Sequence, residues 1–134
     1  MADTMYHNYR EEALKGLRAV NTETIKVMAV TAGYAFSASH SSVNAVAGAN
    51  RVHTSGALTN KTTADGVFDA DDVTFTAVAA GSAIAALIVY VEAGTSASST
   101  LMLYLDSAAQ LPVTPNGGDI IVQWDSGANK IFKL

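Results

Sequence analysis

Hydrophobic residues change their spacing once along this chain, near Asn21. Before that point Met5, Tyr9 and Ala13 recur at four-residue intervals, and Leu14 and Leu17 widen the stripe. That spacing predicts a short amphipathic helix over Met5 to Lys15, with Asp3 or Thr4 as its cap and Gly16 at its end. After Asn21 the period becomes two. In Thr24–Val30, Ile25, Val27 and Ala29 fall on one face, and Lys26 and Met28 on the other; this is the first expected strand.

From there short apolar runs alternate with turn residues. Ser37 to Asn50 is rich in Ala, Ser and Gly and reads as a long loop with a brief strand around Val43. Arg51 to Thr63 holds one or two short strands, and Asp65-Gly66 marks a tight turn before Val67-Phe68. Val73, Phe75 and Ala77 alternate with Thr74 and Thr76 as a half-buried strand. Ile84 to Val91 is apolar on both faces, as a central strand covered on two sides must be. Gly94 to Thr100 reads as a surface loop. Strands follow at Leu101–Asp106 and Leu111–Thr114, the turn at Pro115–Gly118 is the strongest in the chain, and Asp119–Asp125 places Ile120, Val122 and Trp124 together. A last turn at Ser126-Gly127 and Asn129 precedes an apolar ending at Ile131 to Leu134.

About eight strands and no alternating helices predict a mainly β protein, an antiparallel β-sandwich or jelly-roll-like fold with a short N-terminal helix. We expect one domain overall, with residues 1–20 as an N-terminal helix or arm and 21–134 as the β-sandwich. With 134 residues the chain is long enough to bury a core without a metal or disulfide, and it has no cysteine. The longest apolar run, Ala83 to Val91, is too short for a membrane helix of about 20 residues. No secretory signal pattern opens the chain.

Charged residues make up 15% of the sequence and the net charge is −4. Typical soluble proteins carry about 25% charged residues, so more of this surface is free to meet other protein, or is simply coated with Ser and Thr. Between Thr62 and Asn129 there are eight acids and no Lys or Arg, which argues against a nucleic acid partner.

Candidate chemistry is sparse. Asp65, Asp69, Asp71 and Asp72 are the best candidate cation ligands. They fail the EF-hand pattern in spacing and in the missing terminal Glu, and solvated carboxylates on a turn explain them. His7, His40 and His53 have no metal-ligand spacing, and no nucleophile elbow, P-loop or dinucleotide fingerprint occurs. We expect no enzyme, no cofactor and no metal.

Several stretches are familiar. GVFDADDVTFTAV (66–78), LPVTPNGGD (111–119), QWD (123–125) and KIFKL (130–134), with TIKV (24–27) after a short helix, resemble small structural proteins of tailed bacteriophages. The resemblance implies a virion component, and within that class a capsid decoration (cement) protein. Such a protein binds the outside of the head and bridges subunits of the major capsid protein, after assembly in the host cytoplasm. Virion parts sit at symmetry axes, so a homo-dimer or homo-trimer is expected. The expected contact residues are Met5, Tyr9, Leu14 and Leu17 on the helix and Ser41, Ser42 and Val43 in the long loop. The alternatives are a tail, neck or head-fibre component, or a carbohydrate-binding β-sandwich resting on Trp124, Tyr90 and Tyr104.

Overall fold

A computed structural model describes residues 3–108, 110–124, 127 and 130–133. The elements run in the order β1 (Thr4–Met5), α1 (His7–Leu14), β2 (Ile25–Val30), β3 (Arg51–Thr54), β4 (Thr62–Ala64), β5 (Val67–Asp69), β6 (Val73–Phe75), β7 (Ala86–Val91), β8 (Thr100–Leu105), β9 (Ile120–Val122) and β10 (Phe132–Lys133). The protein is mainly β and sandwich-like, with three antiparallel sheets and one α-helix among the described residues.

The main sheet has five strands in the order β1-β8-β7-β2-β3. Its central strand β7 is buried at all six positions, because both faces are covered, as the unbroken apolar run requires. On one face Ile25, Val27, Leu87, Val89 and Met102 pack with Leu58, Phe68, Phe75, Val122 and Phe132 in one core. Those partners belong to, or flank, a three-stranded sheet (β10-β5-β4) and a two-stranded sheet (β6-β9). On the opposite face Met28, Val30, Ile88, Tyr90, Leu101 and Tyr104 pack with Tyr6, Tyr34, Val43 and Val46 in a second core. Each fully buried large side chain of this kind contributes about 1.5–3 kcal/mol relative to exposure.

The second core explains the long loop. The chain from Thr31 to Asn50 is the cover of that face, and where a brief strand was expected it makes a 3-10 turn at Val43–Ala45. Just before the turn, Ser42 bridges to Thr100, the Ser41 carbonyl accepts from the Leu101 amide and the Val43 amide donates to the Ser99 carbonyl. These bonds occupy the part of β8's outer edge that β1 does not reach.

Other boundaries shift for local reasons. Neither Asp3 nor Thr4 caps the helix. The Asp3 carboxylate instead accepts from the Asp106 and Ser107 amides, both at 3.1 Å, and from the Ser107 hydroxyl. This lays Thr4 and Met5 beside β8, with Met5 opposite Leu103, so the helix starts only at His7. At the other end Gly16, with φ +74, terminates it as expected. The Asp65-Gly66 turn joins β4 to β5, both residues having positive φ, as a two-residue hairpin turn demands. The strand expected at Leu111–Thr114 reduces to one bridge between Val113 and Ile84, since Pro112 supplies no amide to extend it. Asp125, Ser126, Asn129 and Leu134, which belonged to the last expected strands and turn, lie outside the described residues.

Candidate functional site

Among the described residues the exposed large hydrophobic side chains are Leu14, Leu17 and Ile121. Two of them stand together where α1 ends. The Gly16 amide donates to the Ala13 carbonyl and the Leu17 amide to the Glu12 carbonyl, a Schellman closure that needs the left-handed backbone of Gly16. A residue in Leu17's position of that motif commonly folds back onto the helix. Here it is 66% exposed, beside a Leu14 that is 90% exposed.

The segment just after this apolar knob is fixed by Arg18. Its guanidinium is hydrogen-bonded to the carboxylate of Glu12, to Glu23 at 2.8 Å and to the Thr100 hydroxyl of β8 at 2.6 Å. It lies 5.9 Å from the centre of the Tyr9 ring. Partial burial works against the Arg18 charge, but the bonds to Glu23 and Glu12 outweigh it and raise its pKa. Glu12 also accepts from the Asn8 amide group, and Glu23 accepts from the Ala19 amide. Leu14 and Leu17 therefore project from a short segment held at both ends. Charged neighbours Arg10, Glu11 and Lys15 are exposed, the last two joined at 2.8 Å.

The other expected contact residues are placed differently. Tyr9 is 1% exposed and meets the Phe132 ring edge-on; burial, with the Glu23 charge, pushes its hydroxyl pKa up. Met5 is half-buried against the first core. Val43 is 3% exposed within the second core, Ser42 is half-buried, and Ser41 is exposed with its carbonyl engaged. The helical stripe thus divides into an inner part that seats α1 and an outer pair that faces solvent.

Of the residues considered for chemistry, Asp71, Asp72, His40 and His53 have structural partners. Asp71 accepts from the Thr59 hydroxyl at 3.0 Å and the Asn60 side chain at 2.6 Å. Its carbonyl accepts from the Trp124 indole, and the Asp72 carboxylate accepts from the Trp124 amide. The aspartates therefore tie β9 to the loop before β6. No group of three or more potential ligands lies together among the described residues. His40 is bonded to Tyr34, His53 lies against Phe75, and His7 is exposed on α1. Trp124 packs on the first core, whereas Tyr90 and Tyr104 belong to the second, so the three aromatics form no shared stacking surface.

One polar cleft of about 250 Å³ is lined by Lys26, Arg51, Tyr90, Glu92 and Ser96, among others. Arg51 donates to the Val46 and Val43 carbonyls, each at 2.9 Å, and to the Ser96 hydroxyl. Glu92 takes Lys26 at 3.6 Å and the Ser99 hydroxyl at 2.9 Å. These charges join the cover segment to the turn before β8.

No helix among the described residues is long and apolar enough to cross a membrane. No protein-family model matches this chain, and no curated protein matches it. Arg18 and Ile121 escaped the sequence reading. Ile121 was within reach, since placing Ile120, Val122 and Trp124 inward leaves it outward, whereas nothing local announces that Arg18 reaches Thr100.

Proposed function

We propose that this protein is a virion structural protein, a capsid decoration protein that binds the outside of a phage head and bridges subunits of the major capsid protein. The observation that carries this reading is the solvent-facing Leu14–Leu17 pair on a segment fixed by Arg18. An apolar pair held in place loses little conformational freedom when a partner covers it, which is what an interface anchor requires. The low charge of the chain and its likeness to phage structural proteins supply the partner. Asp71, Asp72 and His40 are engaged in holding the fold, and no three potential metal ligands lie together among the described residues, which favours a binding role over an enzymatic one. The protein acts without a cofactor, nucleic acid or membrane, and resides on the capsid surface.

Co-sedimentation with expanded capsids that lack the protein tests this. The wild type binds saturably at a copy number consistent with the shell's symmetry. The Leu14→Ser/Leu17→Ser variant loses at least about 2 kcal/mol, roughly 30-fold in affinity, while melting like the wild type. Truncation at Gly16 is the wrong instrument, because it removes Tyr6 and Tyr9, two of the most buried side chains. Absence of binding by the wild type moves the assignment to a tail or neck component.

A further inference from the structure

The third exposed hydrophobic, Ile121, is far along the chain from the α1 knob and has a different setting. It is the middle residue of β9, which among the described residues forms a two-stranded sheet with β6. Among the described residues, the edge of β9 away from β6 therefore has no neighbouring strand. Alternation along the strand is strict: Asp119, Ile121 and Gln123 are exposed, while Val122 is buried and Ile120 and Trp124 are half-buried. Ile121 itself is 64% exposed.

Edge strands are normally guarded against pairing by Lys, Pro or a bulge. From Asp119 to Trp124 there is no Lys or Pro, and the β6–β9 register runs without a shift from Phe75↔Ile120 to Val73↔Val122. A two-stranded sheet whose edge carries no Lys, Pro or bulge can be extended by a further strand.

We propose that β9 is the seam of a twofold homodimer, in which the β9 strands of two copies pair antiparallel about Ile121. The pairing makes one four-stranded sheet in the order β6-β9-β9-β6. Twofold symmetry about Ile121 sets Ile121 against Ile121 of the second copy and Asp119 against Gln123, on the same outer face. The polar match is complementary. One Asp119 oxygen already accepts from the Ala77 amide, and the other is available to the Gln123 amide group of the second copy, an arrangement that occurs twice. No like charges meet across these positions. The seam stands whether or not the capsid reading holds. Where that reading does hold, the dimer carries two Leu14–Leu17 knobs, and the second shell contact becomes intramolecular.

The chain has no cysteine, so Ile121→Cys gives a single-thiol protein. Directly opposed residues of an antiparallel pair have Cα atoms about 4.5–5.5 Å apart, within the range a disulfide spans. Under mild oxidation Ile121→Cys converts to a covalent dimer at least about tenfold faster than Leu14→Cys, although position 14 is the more exposed and random collision favours it. In sedimentation equilibrium the wild type is a dimer. Ile121→Asp, which sets a carboxylate against its own counterpart across the seam, sediments as a monomer while circular dichroism shows it folded, and Leu14→Ser/Leu17→Ser remains a dimer. A monomeric wild type, a dimeric Ile121→Asp, or cross-linking of Ile121→Cys no faster than of Leu14→Cys overturns the seam. Dimers that fail to bind shells overturn the capsid reading and leave the seam standing.

Discussion

The Tyr6 hydroxyl lies 2.9 Å from the Tyr34 hydroxyl, and Tyr34 lies 2.9 Å from Nδ1 of His40. This chain of hydroxyls joins the residue before α1 to the segment that covers the second face of the main sheet. Its two ends differ, because Tyr6 is fully buried while His40 is only half-buried. Tyr34→Phe strands the Tyr6 hydroxyl without a partner and costs about 1–3 kcal/mol, the penalty for an unsatisfied buried group. Tyr6→Phe leaves the Tyr34–His40 bond intact and costs about 1 kcal/mol. Urea denaturation midpoints of the two variants check the asymmetry; equal losses would mean that the Tyr6 hydroxyl finds another partner.

Alkaline pH attacks both cores through the same residue type. The five tyrosines are Tyr6, Tyr9, Tyr34, Tyr90 and Tyr104, and burial is the first cause raising the pKa of each. An unfolded tyrosine loses its proton near pH ~10, below the folded values. Above that pH the native state holds more protons than the unfolded state, so stability falls as pH rises. The melting temperature stays level up to about pH 9 and then declines, with tyrosinate absorbance appearing together with unfolding. Ionisation of all five near pH ~10 in a protein that stays folded would contradict this.

Much of the fold is legible in the sequence because strand alternation and turn chemistry are local signals. Ile25, Val27 and Ala29 share one core as their spacing indicates, and Asp65-Gly66 turns where a left-handed pair is tolerated. The run Ile84 to Val91 announces a strand covered on both sides, yet it does not say by what. Half of the answer is the loop from Thr31 to Asn50, whose buried Tyr34, Val43 and Val46 are spaced with no period, because an irregular cover follows the surface beneath it. Met5 is misjudged for a similar reason. Its four-residue spacing from Tyr9 is helical, but Asp3 bonded to Ser107 commits the backbone to β8 first, a contact made across more than a hundred residues of chain.

The candidate site divides along the same line. Leu14 and Leu17 are visible as apolar residues at helical spacing, and that spacing alone predicts burial. Their exposure follows from where α1 stops and how it is turned: Tyr9 and Ala13 face the first core, which leaves the residues near Gly16 beyond its rim. Sequence reveals a stripe, whereas only packing reveals which part of the stripe is left over.

Arg18 is the residue on which that leftover pair depends. Glu12 and Glu23 both converge on it, and Thr100 connects it to β8. Arg18→Ala leaves two carboxylates facing each other without their cation and costs about 1–3 kcal/mol. Adding Glu23→Gln to Arg18→Ala recovers part of the loss, because it removes the repulsion that the first substitution exposes. Arg18→Lys does not substitute well, since an ammonium cannot present the planar fork that meets Glu12, Glu23 and Thr100 together. If α1 is the shell contact, Arg18→Ala weakens capsid co-sedimentation even though Leu14 and Leu17 are unchanged, by freeing the segment that holds them. Thermal melts of the single and double variants, read beside binding, separate the two effects. A variant that melts early yet binds shells normally would show that the knob needs no clamp.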